Sequence, residues 1–235
     1  MVGCMETAGY LPALRRESDA FRGALLGDLT ARVEHCGSWT LYDLAGHLGA
    51  GHHRAVTAVT ARHPGHRSPA APREAAALLR WFDRRTAALL DVLDTDPAAP
   101  AWTFHPPHTV GFWQRRRCLE TLVHRWDAQH ALGVLPGPLE PELAADGIAE
   151  VFDTFAPRQI AVGRACAPAC AVRFEATDTG SSWTYGPGTP AAAVTGTAGD
   201  LLLMLWGRLP AGDGGLEWKG DRDAARTALR GPLVA

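Results

Sequence analysis

Arg115-Arg116-Arg117-Cys118-Leu119-Glu120-Thr121-Leu122-Val123-His124-Arg125-Trp126-Asp127 has the pattern of a helix, yet it puts charged residues where a buried stripe should be apolar. Side chains three or four residues apart share a helix face, so Arg116 or Arg117, Glu120, His124 and Asp127 form one polar column. Leu119, Leu122, Val123 and Trp126 lie to its side. Glu120 and His124 stand at i and i+4, the spacing that lets a carboxylate and an imidazole on one helix converge on a metal ion. The same spacing also fits an exposed pair that adds only about 0.2–0.5 kcal/mol to the helix. Two ligands do not make a site, and the segment by itself leaves both readings open.

Upstream, the spacing of Leu11, Leu14, Phe21, Leu25, Leu26 and Leu29 predicts a first amphipathic helix from Gly9 to about Val33. His35-Cys36-Gly37-Ser38 interrupts it, and Thr40 followed by Asp43 reads as the acidic variant of a capping box opening a second helix. Along that helix Leu41, Leu44, His47, Leu48, Gly51 and Ala55 fall on one face, which predicts a buried His47. A histidine so placed is either a satisfied core residue or a ligand. His52 and His53 are displaced around the helix and read as surface residues or as supports behind a ligand. A loop over His63–Pro72 leads to a third helix, Glu74–Leu93, with Leu78, Leu79, Phe82, Leu89, Leu90 and Leu93 inward. The proline-rich stretch from Asp94 to Pro107 precedes a fourth helix from about Val110 to Leu132 that stops at Gly133. Trp102, His105, His108 and Trp113 around its start either line a pocket or pack the end of the bundle. Four such helices predict a four-helix bundle, in which metal sites are built from facing helices.

Gly133-Val134-Leu135-Pro136-Gly137-Pro138 is a compositional break, and the pattern changes beyond it. Pro141–Phe155 reads as helix, and Ala171–Ala176, Ser182–Tyr185 and Ala191–Thr195 as short strands. Asp200–Trp206 is a short apolar helix, Leu216–Lys219 a last strand, and Asp221–Leu229 a last helix capped by Asp221. The expectation is a bundle over residues 1–137 and a smaller α+β domain over residues 138–235.

Composition narrows the function classes. With 46% hydrophobic and 20% charged residues the chain is of globular type. A net charge of −2 gives no bulk electrostatic reason to bind nucleic acid or an anionic membrane. Met1–Tyr10 has neither a basic nor an apolar leader segment, and no run approaches the length of a membrane span, so a cytoplasmic location is expected. Cys4, Cys36, Cys118, Cys166 and Cys170 are irregularly spaced and read as free thiols rather than a disulfide framework.

Three motifs in order, Trp39-Thr40-Leu41-Tyr42-Asp43-Leu44-Ala45-Gly46-His47-Leu48, Glu120-x-x-x-His124-Arg125-Trp126-Asp127 and Asp200-Leu201-Leu202-Leu203-Met204-Leu205-Trp206-Gly207-Arg208, carry a family likeness. The chain resembles the mycothiol-dependent maleylpyruvate isomerase family, whose N-terminal domain is a DinB-like four-helix metalloprotein. The resemblance implies the fold class α + (α+β), with a metal-binding bundle followed by the family's C-terminal α+β domain. It implies a divalent metal, usually zinc, held by His47, Glu120 and His124. It also implies mycothiol or another low-molecular-weight thiol as cosubstrate, and a small electrophile as substrate. The implied reaction is conjugate addition of a metal-bound thiolate to an activated cis double bond, rotation, and elimination to the trans product; related enzymes stop at the S-conjugate. Arg208 then reads as a residue that binds a substrate carboxylate and stabilises an enolate, or as a plain helix terminator. Arg117 is the column's candidate for an anion contact. Asp127 is either an acceptor behind a ligand imidazole or half of a surface salt bridge. A monomer or weak homodimer is expected. A second enzymatic reading uses the metal to activate water for hydrolysis, and a third makes the chain a non-enzymatic metal- or ligand-binding stress protein.

Overall fold

The first helix, α1, spans Tyr10–Ala24, well short of the expected end near Val33. Local hydrogen bonding ends it: Asp28 accepts from the Thr30 amide at 2.8 Å and the Thr30 hydroxyl at 2.6 Å, a turn that competes with helix. Leu26 is consequently 68% exposed, whereas Leu25 and Val33 return to the core from irregular backbone. These observations come from a computed structural model that describes residues 9–65, 68–210 and 215–234. Cys4 lies outside those residues; Cys36, Cys118, Cys166 and Cys170 are free thiols. The chain falls into two compact units that part between Gly137 and Pro138. None of the helices, among the described residues, is long and apolar enough to cross a membrane.

In the first unit α2 (Leu41–Thr60), α3 (Ala75–Leu93) and α4 (Val110–Ala131) complete a four-helix arrangement. Thr40 and Asp43 form the expected capping box, and Glu74 caps α3 by accepting from the amides of Ala76 and Ala77. Gly133, at φ +68°, ends α4. The core joins Phe21, Leu25 and Val33 to Leu41, Leu44, Leu48, Leu78, Trp81, Phe82 and Ala128. The buried face of α2 runs through Leu41, Leu44, Ala45, Leu48, Gly49, His52 and Ala55. His47 is therefore not buried as expected: it stands at the edge of that face with its side chain 40% exposed. His52, read as a surface or supporting residue, is the fully buried one.

Two glycines explain why α2 packs so closely. A Cβ on Gly49 would stand 2.3 Å from the Trp81 ring, and one on Gly51 would stand 2.5 Å from Arg117 Nη1. These glycines make room for an indole and a guanidinium, at a helix-propensity cost of about 1 kcal/mol each relative to alanine. At the bundle end, the Trp113 indole donates to the Trp102 carbonyl at 2.6 Å and Thr103 Oγ1 lies 2.7 Å from His108 Nδ1. His105 Nδ1 lies 2.9 Å from the Pro106 carbonyl. The aromatic and imidazole groups before and at the start of α4 thus pack one another.

The second unit begins with α5 (Pro141–Glu150), a π-helical turn over Val151–Phe155 and α6 (Ala156–Ala161). The last of these was not foreseen. Strands β1 (Ala171–Ala176), β2 (Ser182–Tyr185), β3 (Pro190–Gly196) and β4 (Glu217–Gly220) form a mixed sheet in the order β2-β1-β3-β4. β1 pairs with β3 in parallel, and the other two pairings are antiparallel. Between β3 and β4 lies α7 (Ala198–Leu205), capped by Thr197. It packs on α5, where a Cβ on Gly147 would stand 2.9 Å from Leu202. The last helix, α8 (Arg222–Ala228), is capped by Asp221 as expected.

Candidate metal centre

The helix α4 buries Arg116, Arg117, His124, Arg125 and Asp127 alongside Leu119, Leu122 and Val123, so it is enclosed on nearly every side rather than along one stripe. Charged groups survive such burial only when paired and hydrogen-bonded. For Arg116 and Arg117, Glu120 supplies the pairing. Its Oε2 accepts from Arg117 Nη1 at 2.5 Å and from Arg116 Nε at 3.2 Å. Both arginines therefore reach the carboxylate, from i−3 and i−4.

The second oxygen of Glu120 faces two imidazoles. Oε1 lies 3.0 Å from His47 Nε2 and 4.0 Å from His124 Nε2. The two rings stand edge to face, with centroids 5.2 Å apart at 84°. One atom from each of His47, Glu120 and His124 lies within 4.8 Å of the others. A tetrahedral zinc ion with bonds of about 2.0–2.1 Å needs ligand atoms about 3.3–3.4 Å apart, so small side-chain shifts would close the set. The helices α2 and α4 thus bring together the three residues of the expected ligand set.

The surroundings bear on the protonation of two members of the set, His124 and Glu120. On the far side of His124, Nδ1 lies 2.9 Å from Asp127 Oδ2, which makes Nδ1 the protonated nitrogen and leaves the Nε2 lone pair facing Glu120. Asp127 is buried, which excludes a surface salt bridge. Burial lowers the His124 pKa against the opposing pull of Asp127, and the ring is neutral at neutral pH. For Glu120, burial works toward protonation, but Arg117, Arg116 and the His47 hydrogen bond outweigh it and hold the carboxyl well below its usual range. The Trp39 ring lies against His47 with centroids 4.8 Å apart. Cys36 Sγ lies 3.8 Å from Asp127 Oδ2.

Behind this set is a contact that sequence reasoning missed. Arg117 Nη2 donates to the Leu48 carbonyl at 3.2 Å and to His52 Nδ1 at 2.9 Å. An arginine can only donate, so His52 Nδ1 is the acceptor and the proton sits on Nε2. Burial and the Arg117 charge push the His52 pKa well below its ordinary value. The glycine at position 51, in mid-helix, was the available signal that a bulky group approaches α2 there. In the second unit, Arg208 is 9% exposed, donates to the Trp206 carbonyl at 2.7 Å and lies over the Trp206 ring at 5.5 Å.

Residues 11–129 match the family model of the mycothiol maleylpyruvate isomerase N-terminal domain, and residues 142–227 match that of the C-terminal domain. Among solved structures, the crystal structure of the mycothiol-dependent maleylpyruvate isomerase superposes with a TM-score of 0.69 at 14% identity. It covers 92% of this chain and 95% of that one. A histidine-to-alanine mutant of that isomerase gives a TM-score of 0.69 at 15% identity over the same shares. At this level of identity the likeness establishes the fold. No curated protein matches by sequence.

Proposed function

The chain belongs to the mycothiol maleylpyruvate isomerase family, and we propose that it is a metal-dependent, thiol-using isomerase or S-transferase acting on an electrophilic small molecule. The observation that carries this reading is the convergence of His47, Glu120 and His124 with Asp127 behind His124. Two neutral imidazoles and one carboxylate suit a divalent transition ion, zinc above all, and leave it net positive with an open position, as in catalytic rather than structural sites. A zinc ion held there would keep an incoming thiol, mycothiol in the family's usual chemistry, as thiolate at neutral pH and so supply the nucleophile.

The chain's own residues have separable tasks in this reading. Glu120 stays ionised because Arg116 and Arg117 offset its desolvation, and their hydrogen bonds fix which oxygen faces the histidines. Arg117 is therefore a positioning residue. Asp127 holds the His124 tautomer and ring direction. Trp39 forms an apolar wall beside His47, which would keep water from competing with a thiol. To Arg208 we assign, on the family resemblance, the binding of a substrate carboxylate, for which a planar guanidinium is suited.

The test combines metal counting with turnover. Full-length protein loaded with zinc and dialysed is expected to retain about one equivalent per chain, and His47→Ala to lose it while staying folded, since that side chain is 40% exposed. Turnover of a panel of cis-enoic acids and other electrophiles should require both zinc and the low-molecular-weight thiol. Folded wild-type protein that retains no metal, or turnover that proceeds fully without thiol, would overturn the proposal; the second outcome would favour metal-activated water.

A further inference from the structure

A second group of potential ligands lies apart from the first. Glu34 and His35 sit in the turn that joins α1 to α2, and His130 in the last turn of α4. The turn is pinned: the Val33 amide bonds the Trp39 carbonyl at 3.0 Å, the Cys36 amide the Val33 carbonyl at 3.0 Å, and Arg32 Nη2 the Gly37 carbonyl at 2.7 Å. His130 Nε2 lies 3.1 Å from Glu34 Oε2. The His35 ring stacks beside His130 with centroids 5.7 Å apart at 26°, and one ligand atom from each of the three residues lies within 4.8 Å of the others. Trp126, one helical turn before His130, lies parallel to it at 4.8 Å and 11°, which holds the imidazole in place.

We propose that Glu34, His35 and His130 form an accessory, solvent-accessible site for an exchangeable divalent transition-metal ion. The plainer account is an exposed Glu34–His130 ion pair, worth about 0–1 kcal/mol. That account leaves out His35, whose ring packs against both His130 and Trp126, with centroids 5.7 Å and 6.0 Å away, and so is held within reach of the pair. Two imidazoles and a carboxylate are a donor set for zinc, nickel or copper, and imidazole selects these over magnesium and calcium. His130 stands at the C-terminal end of α4, where the helix dipole adds attraction for a cation. Glu34 remains ionised, its carboxyl pulled below the usual range by the His130 hydrogen bond and the nearby His35. Cys36 is not part of this set, since its thiol contacts Asp127. The Glu34 side chain is 70% exposed and that of His130 38%, whereas Glu120 and His124 at the first site are 15% and 6% exposed, so an ion here would exchange more readily than one held there.

The test uses full-length protein and nickel as the probe. Wild-type protein should bind two equivalents, one retained through dialysis and one released by it. His35→Ala/His130→Ala should lose the released equivalent and keep the retained one; His47→Ala should do the reverse. Glu34→Gln, a change at an exposed side chain, should weaken the released equivalent at least about tenfold, because a charged ligand becomes neutral. In the His47→Ala protein, copper should quench tryptophan fluorescence, and Trp126→Phe should remove most of that quenching. Wild-type binding of a single equivalent, or a second equivalent that survives His35→Ala/His130→Ala, would overturn the accessory site. A retained equivalent that survives His47→Ala would instead sink the ligand set of the proposed function, so the two failures are distinguishable.

Discussion

Glu17 on α1 and Glu120 on α4 are both carboxylates held by two arginines, and they differ in how those donors are shared between the oxygens. Both oxygens of Glu17 take arginine donors, Arg16 at 3.2 Å and Arg125 at 2.8 Å. At Glu120 one oxygen takes two arginines and the other is turned toward two imidazoles. Arginine pairing is what burial of a carboxylate requires. The histidines at Glu120 exceed that requirement, and this surplus separates a site built for chemistry from one built for folding. The largest expected effect breaks the structural side of the comparison. Arg125→Ala leaves Glu17 buried and takes a donor from the Gly137 carbonyl, and should cost about 3–5 kcal/mol in urea unfolding. Zinc retained per folded chain should not change. A loss under about 1 kcal/mol would show that this pair does not hold the fold.

The mirror experiment acts on the site. Asp127→Asn keeps an acceptor for His124 Nδ1 but removes its charge, and should lower zinc affinity by about 10–100-fold in competition with a chelator. Because the Asn side chain fills the same space, the unfolding midpoint of metal-free protein should move much less than in Arg125→Ala. Unchanged zinc affinity would deny Asp127 its positioning role.

The sequence made the local chemistry legible more readily than the burial. The Thr40–Asp43 capping box, the Asp221 cap and the strands over Ala171–Ala176 and Ser182–Tyr185 all follow from short-range rules that hold wherever the segment is placed. The i,i+4 spacing of Glu120 and His124 is of the same kind. Reading α2 failed differently. Apolar spacing put His47 inside the stripe and His52 outside it, because the pattern ran through Gly51 and passed over Gly49, which the fold buries. In the fold Gly49 and Gly51 are the closest points of approach, to Trp81 and to Arg117, so the buried face turns toward position 52. The burial of α4 was equally hidden, since a helix enclosed on nearly every side shows no stripe to read. Arg125–Glu17 joins residues far apart in the chain, and no local rule pairs them. For α1 the leucines continued the helical pattern past Ala24, but the Asp28–Thr30 turn prevailed.

The smallest effect sharpens the comparison through a histidine that binds no metal in this account. His52 accepts from Arg117, and burial together with that positive charge holds its pKa well below the ordinary value. An unfolded chain takes up this proton as pH falls through about 6.5, while the native ring stays neutral. The unfolded state then binds more protons, so stability is full above about pH 6.5 and declines below it, by up to about 1.4 kcal/mol per pH unit for one group. In His52→Asn the Oδ1 atom can take the place of Nδ1 as acceptor for Arg117 with no proton to gain. The unfolding free energy of metal-free protein between pH 6.5 and 5 should therefore fall less steeply in the variant, by close to one proton's worth of slope. His124, also lowered by burial, contributes equally to both proteins and leaves the difference intact. Identical slopes would mean that His52 is protonated in the native state. Arg117 would then face a cation instead of an acceptor, and its orientation of Glu120 would have to come from elsewhere.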